Sequence, residues 1–525
     1  MKDSSSGTAR SAGIVMLATL ISRIFGYLRD MIVARAFGAT SSADAFYVAF
    51  RIPNFLRNLL AEGALSATFI PTFTEYLTLY GKSEAFKLAN KILTLLILLL
   101  SLLTILGIIF APFMVMIVAP GFSKAKMSLT AEMTRIMFPF LAFVSLSALV
   151  MGILNSYRSF FIPAVAPTML SLAEIGAVFL ICPLFLKEPV VGLAIGVLLG
   201  GAFQWAVQLP SLFKKGFFFK PTWAPKDEGV KRISLLLLPA VIGLSVNQIN
   251  LLVDTIMASF LGEGSVSALY YANRLYQLPL ALFGISLATV ALPTLSASAA
   301  KKNFTKLKQT LSQSLQLIVL AMIPSSMILI FLGKPLVRLL FERGRFDTIA
   351  TDLTFWVLFF YSFGLFFYAG VKVVAATFYS LKDTKTPVKT ASFAMLINIF
   401  LNWFFAWPLG LRVGGLALAT ATSSLLNFSI LLFILRKKIG QLGLSQLFDS
   451  AWKAFLSSVL MSLFAVGLYN YSLKICLPLY GFYRELFSLS VALLGGIVIF
   501  IVTTLILKIE AMSKIWQTLL KKFTR

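Results

Sequence analysis

Fourteen apolar windows follow one another along this chain, each about 20 residues long, the length a helix needs to cross the hydrocarbon core of a bilayer. They fall near 12–37, 43–75, 86–118, 130–155, 162–186, 189–213, 232–261, 266–298, 308–332, 350–378, 386–409, 413–435, 451–474 and 486–508. Lipid cannot satisfy a backbone amide, so each window must close its hydrogen bonds internally. The fold class is therefore all-α: a polytopic membrane protein with 14 transmembrane helices. Composition agrees, because 59% of the 525 residues are hydrophobic and only 13% are charged, about half the charged share of a soluble domain. The longest polar stretch is 214–231, too short for a separate soluble domain.

Charge alternates between the connections. Lys2 and Arg10 precede the first window, and Lys and Arg recur in the second, sixth, eighth, tenth and twelfth loops and in the tail, which ends Lys521, Lys522, Phe523, Thr524, Arg525. Under the positive-inside rule this places both termini in the cytoplasm. The ninth loop, with Lys334, Arg338, Arg343 and Arg345, departs from the pattern. The bias toward basic cytoplasmic loops thus accounts for much of the net charge of +26, and no nucleic-acid partner is expected. The apolar run from Gly13 is interrupted by Arg23 and lacks a small-residue cleavage site, so it reads as the first span and not as a signal peptide. There is no histidine, which removes the usual zinc ligand and neutral-pH base. Cys182 and Cys476 lie far apart in apolar stretches and read as packing residues.

A weak internal repeat joins the two halves. Ala45, Tyr47, Ala49 and Arg51 are matched 223 residues later by Ala268, Tyr270, Ala272 and Arg274, and Pro71-Thr72 is matched 222 residues later by Pro293-Thr294. Tyr157 is likewise matched by Tyr379. Two pseudo-symmetric six-helix lobes around a central cavity are expected, with spans 13 and 14 outside the repeat. The corresponding segments are 1–213, a connector at 214–231, 232–437, the extra pair at 438–508, and a basic amphipathic cytoplasmic tail at 509–525.

The first two spans are expensive. Arg23, Arg29, Asp30 and Arg35 lie in span 1, and Asp44, Arg51, Arg57 and Glu62 in span 2, where an ionised group costs roughly 2.5–3.5 kcal/mol at the helix centre. At 100° per residue Arg23 shares a face with Asp30, and Asp44 with Arg51. Ion pairs between helices account for some of these groups and snorkelling accounts for others. The arginines nevertheless outnumber nearby acids, Arg274 adds another from the second half, and Lys372 is deep with no adjacent acid. A hydrated cavity lined by guanidinium groups would take an anion, and their forked geometry favours phosphate oxygens.

The segments Ser22-Arg23-Ile24-Phe25-Gly26, Leu28-Arg29-Asp30, Ala43-Asp44-Ala45-Phe46, Arg51-Ile52-Pro53-Asn54 and Ala61-Glu62-Gly63-Ala64, with Tyr271-Ala272-Asn273-Arg274-Leu275 further on, resemble in order and spacing the MurJ (MviN) family of lipid II flippases. That family lies within the multidrug/oligosaccharidyl-lipid/polysaccharide exporter superfamily. The resemblance implies a monomer of the bacterial inner membrane that flips lipid II to the outer leaflet by alternating access, with lipid II and membrane lipids as its partners. It implies substrate-binding roles for Arg23, Arg29, Asp44, Arg51, Arg57, Glu62 and Arg274, to which the charged face of span 1 adds Asp30, and a groove for the polyprenyl tail on spans 13 and 14. It also implies a candidate sodium site at Asp254, Asn398, Asn402 and Thr420, although Asn402 stands where a second carboxylate is expected. No other cofactor and no catalytic residue are implied. Two other readings stay open: an exporter of a different oligosaccharide-lipid or a drug, and a membrane enzyme acting on a polyprenyl phosphate, which would need catalytic acids on an extracytoplasmic loop.

Overall fold

The computed structural model describes residues 2–59, 65–475, 481–513 and 517, and the regular structure described in it is helical. The first eleven helices are α1 (Lys2–Phe37), α2 (Ser41–Arg57), α3 (Ser66–Leu79), α4 (Gly81–Val118), α5 (Lys124–Met137), α6 (Phe140–Ser156), α7 (Phe161–Val165), α8 (Thr168–Leu180), α9 (Val190–Ala206), α10 (Leu209–Lys214) and α11 (Glu228–Ser259). Ten more follow: α12 (Ser265–Pro279), α13 (Ser286–Ala300), α14 (Phe304–Phe331), α15 (Gly333–Phe341), α16 (Thr348–Ser362), α17 (Leu365–Ser380), α18 (Lys385–Ala406), α19 (Val413–Ile439), α20 (Leu444–Ile475) and α21 (Phe482–Ile506). Side-chain oxygens start many of them: Thr40 accepts from the amide of Ala43, Ser123 from that of Lys126, and Asp347 from that of Ala350. Each occupies an amide that the helix itself leaves without a partner.

Among the described residues, ten helical stretches are long and apolar enough to cross a bilayer, and α16 with α17, bent by 44° at their junction, makes an eleventh. These eleven coincide with expected spans 3 to 6 and 8 to 14. The expected spans at 12–37, 43–75 and 232–261 fall on α1, on α2 with α3, and on α11, outside that set. Between α2 and α3, residues 60–64, with Glu62, lie outside the described residues. The tail at 509–525 lies largely outside them too, as does Cys476. The outward faces are apolar: on α4, Leu98, Leu102, Ile109 and Phe113 are all about half exposed. So large an exposed apolar surface is unsuited to water and suited to acyl chains.

The chain forms two compact units. Unit 1 comprises Met1–Ser267 with Arg343–Phe346, and unit 2 comprises Ala268–Glu342 with Asp347–Arg525. In unit 1, α8 packs on α9 and α1, α2 packs on α5, and α6 packs on α9. A core of Phe69, Phe73, Leu88, Leu149, Ile153 and Phe217 joins α3, α4 and α6 to the connector. In unit 2, α18 pairs with α19, α20 with α21 and α14 with α20. Tyr469 and Leu489 of the last pair share a buried cluster with Leu332 and Leu339, and the Tyr469 hydroxyl donates to Glu485 Oε2 over 2.6 Å.

The sequence repeat has a structural counterpart. Helix α2 continues into π-helical backbone at Asn58 and Leu59 before α3 begins, and α12 continues into a π-helical turn at Leu280–Ile285 before α13. Such turns often mark functional sites within helices. The ends of α6 and α17 also correspond. The Ser159 amide reaches back to the Leu154 carbonyl (2.9 Å) and the Asp383 amide to that of Phe378 (3.0 Å), each after a left-handed residue, Arg158 (φ 57°) or Lys382 (φ 60°). All five described non-glycine residues with positive φ are cationic: Arg158, Lys302, Lys382, Arg412 and Lys508. Left-handed backbone costs an ordinary residue roughly 1–2 kcal/mol, while a cation at a helix C-terminus meets the negative end of the dipole.

In the loop before α18, Asp383 accepts from Lys438 Nζ at 2.7 Å and from the amide and hydroxyl of Thr386 at 3.0 and 2.8 Å. The lysine and these hydrogen bonds hold its carboxyl down at about 2. Because the folded state depresses this pKa, the contribution is complete above the ordinary aspartate value of about 3.9 and disappears as pH falls through about 2. Asp383→Ala is expected to lower stability at pH 7 by about 1 kcal/mol. The melting-temperature gap from wild type should shrink as pH is taken from 4 to 2.

Candidate functional site

The charges of α1 separate into two environments. Arg29 is 7% exposed and Asp30 2%. Arg29 Nη2 and Nε reach Asp30 Oδ1 at 2.8 and 3.0 Å, and Nη1 reaches Glu174 Oε1 of α8 at 3.1 Å. Neighbouring side chains on a helix do not face each other, so the long guanidinium arm folds back onto Asp30 while also bridging to α8. Arg23, two turns earlier, is exposed and makes no ion pair with an acid among the described residues. The face shared by Arg23 and Asp30 in the sequence is therefore not a pair, because Arg29 takes the aspartate. Glu174, to which the sequence assigned no role, is the second acid of this cluster; its only signal was a lone carboxylate within an apolar span.

Asp44, in the first turn of α2, is fully buried. Its Oδ2 accepts from Lys126 Nζ at 3.0 Å and from the Gly264 amide at 2.8 Å, and its Oδ1 from the Ser267 amide at 2.8 Å and hydroxyl at 2.7 Å. Four donors fill the acceptor capacity of one carboxylate. Two of them are amides at the start of α12, so Asp44 supplies the negative charge that a helix N-terminus favours. The converse contact is also present, the Ser41 amide at the start of α2 donating to Glu263 Oε1 at 2.6 Å. The positions joined are 223 and 222 residues apart, which is the repeat offset. Two copies of one helix start thus meet in a self-complementary way. Lys126 also lies 3.9 Å from the centre of the Phe122 ring; sequence reading missed this lysine because it stands at the head of α5, outside any apolar run.

Arg51, Arg57 and Arg274 each donate to a neutral oxygen. Arg51 Nη1 donates to the Leu251 carbonyl of α11 at 3.1 Å, and Arg57 Nη2 to Asn58 Oδ1 at 3.2 Å. Arg274, at the position matching Arg51, donates to the Tyr270 hydroxyl at 2.8 Å and lies 5.0 Å from the centre of that ring. All three are half-buried.

Asp254 is buried in α11 of unit 1. In unit 2, Asn402 Nδ2 donates to Asn398 Oδ1 at 3.0 Å, Asn398 Nδ2 to Ser423 Oγ at 3.3 Å and to Thr420 Oγ1 at 3.5 Å, and the Thr420 hydroxyl to the Leu416 carbonyl at 3.1 Å. A hard cation needs converging oxygen lone pairs. Here the Asn398 and Asn402 side-chain amides each donate to a neighbouring side-chain oxygen.

Comparison with known proteins adds an independent line. A family model described as lipid II flippase MurJ matches residues 33–492. A relative from Vibrio cholerae described as a probable lipid II flippase MurJ is 40% identical over 431 residues, covering 80% of this chain and 82% of its own length. A lipid II flippase MurJ from Burkholderia cenocepacia is 39% identical over 427 residues, covering 80% and 82%. The solved structure of a lipid II flippase MurJ in an inward closed conformation aligns with a TM-score of 0.76 at 28% identity, covering 94% of this chain and 98% of that one. An inward-facing multidrug transporter of the MATE family aligns with a TM-score of 0.69 at 17% identity, covering 82% and 98%. That last likeness is one of fold alone.

Proposed function

Because this chain belongs to the lipid II flippase MurJ family, we propose that it carries lipid II across the bacterial inner membrane by alternating access, its arginines holding the diphosphate while the polyprenyl tail stays in lipid. The observation that carries this reading is the state of α1. Asp30 and Glu174 are both engaged by Arg29, which leaves Arg23 exposed and without an acid among the described residues. A guanidinium so deep in a span is stable only beside water or an anion. Arg51, Arg57 and Arg274 add charge whose hydrogen bonds to neutral oxygens a diphosphate can replace or extend, since a charged acceptor makes a stronger bond than a neutral one. Tyr270 positions Arg274 for this through its hydroxyl and ring face.

The acids have other work. Asp44, saturated by four donors, repels the substrate's charge and instead fastens α2 to the start of α12. Breaking those contacts frees both helix starts, and re-forming them returns the protein to the state described. Asp30 fixes the Arg29 side chain, which meets the diphosphate when the α1–α8 cluster rearranges. The loop charges support cytoplasmic termini. The pairing of α20 with α21 supplies two helices beyond the repeat for the tail.

The test is replacement of a depleted native flippase in a bacterial cell. The wild-type chain is expected to support growth, and Arg23→Ala and Arg274→Ala are expected to reach the same membrane level without supporting it. Each lost charged contact is worth about 1.5–3 kcal/mol, so lipid II reaching the outer leaflet should fall roughly 10- to 100-fold. A wild-type chain that cannot substitute, or variants that both grow normally, would overturn the reading.

A further inference from the structure

The ninth connection carries basic residues on the side where the loop pattern predicts few, and these residues are fixed in place. Arg343–Phe346, between α15 and α16, lies against the end of α1, with the Arg345 amide donating to the Arg35 carbonyl at 2.9 Å and Phe346 buried. Two glycines with left-handed backbone permit the approach, Gly38 (φ 64°) and Gly344 (φ 60°). A Cβ on Gly38 would stand 2.3 Å from the Arg345 carbonyl oxygen, and one on Gly344 would stand 2.4 Å from that of Arg35. Any side chain at either position would push the loop away.

This clamp gathers Arg35, Arg343 and Arg345. Arg35 and Arg345 are exposed, and neither pairs with an acid among the described residues. Arg343 is held below its usual pKa by burial and by the charge of Arg35. Beside Arg345 opens a cavity of about 330 Å³ whose other walls are apolar, among them Ala36, Phe37, Val178, Cys182 and Leu186. That volume is within the range of small-ligand pockets. Next to it Phe179, Leu180 and Leu184 are exposed by 62%, 74% and 76%, so the cavity opens on a surface made for acyl chains.

We propose that this recess binds one anionic glycerophospholipid, its acyl chain lying in the apolar cleft and its phosphate on the guanidinium groups of Arg35 and Arg345. A backbone hydrogen bond joins Arg35 to Arg345, and guanidinium forks match phosphate oxygens. The apolar walls need a chain attached to that anion, which a soluble phosphate lacks. The site shares no residue with the Arg23, Arg51 and Arg274 set and does not depend on the transport reading.

Native mass spectrometry of the full chain in detergent tests it, with dioleoylphosphatidylglycerol, dioleoylphosphatidylcholine and inorganic phosphate as probes. Phosphatidylglycerol is expected to give a one-to-one adduct at concentrations where phosphatidylcholine gives none and inorganic phosphate does not compete. The pair Arg35→Gln and Arg345→Gln should weaken it about thirtyfold. Leu186→Asp, at an exposed rim position that leaves the fold intact, should weaken it as well by setting a carboxylate beside the phosphate. Equal retention of the two lipids by the wild type, competition by inorganic phosphate, or an unchanged adduct in the arginine pair and in Leu186→Asp would each overturn the proposal.

Discussion

Asp44→Ala is expected to lower stability by about 3–5 kcal/mol, the usual result of removing one partner from a buried ion pair, and to abolish growth in the replacement assay. Three penalties combine: the ammonium of Lys126 loses its counter-ion, the Gly264 and Ser267 amides lose an acceptor, and the start of α12 loses a favourable charge. Adding Lys126→Met should return part of the stability, because the uncompensated charge is then gone. Growth should not return with it, since the two helix starts remain unfastened. Thermal unfolding in detergent reads the first effect and replacement of the depleted flippase reads the second. An Asp44→Ala protein that melts within 1 kcal/mol of wild type would show that the contact carries little energy.

Glu174→Ala should be nearly as costly, at about 3 kcal/mol or more, because the buried Arg29 loses a carboxylate partner on the neighbouring helix. Glu174→Gln retains an acceptor for Nη1 and should cost roughly 1 kcal/mol. The comparison separates charge from hydrogen bonding at the α1–α8 contact. Growth support is expected to follow the same order, since Arg29 must stay aligned to serve the substrate. If both variants melt with the wild type, the cluster does not hold α1 to α8.

Much of the architecture was readable because bilayer physics is strict. An apolar run of the right length has few alternatives, and eleven of the expected spans appear as helices or as a bent pair with close to the expected limits. The offset of 222 to 223 residues was readable as well, and it reappears in the paired π-helical turns and in the contacts of Asp44 with Ser267 and of Ser41 with Glu263. The partners of the charges were not readable. Helical periodicity gives the direction of a side chain on its own helix, but Lys126 is 82 residues from Asp44 and Glu174 is 145 from Arg29. Which of them meet depends on how each helix is rotated against its neighbour, and packing of the apolar faces decides that. Periodicity joined Arg23 to Asp30 because it cannot see an adjacent arginine folding back along the helix.

The cationic helix ends have a consequence for engineering. Glycine at Arg158, Lys302, Lys382 or Lys508 would relax the backbone and raise the melting temperature, so a screen for robust protein should select such changes. Yet Lys302 and Lys382 lie in the eighth and tenth connections, whose positive charge biases the orientation of the chain. A variant selected for heat resistance alone would therefore shed loop charge, trading a signal used in biogenesis for endurance of the finished product.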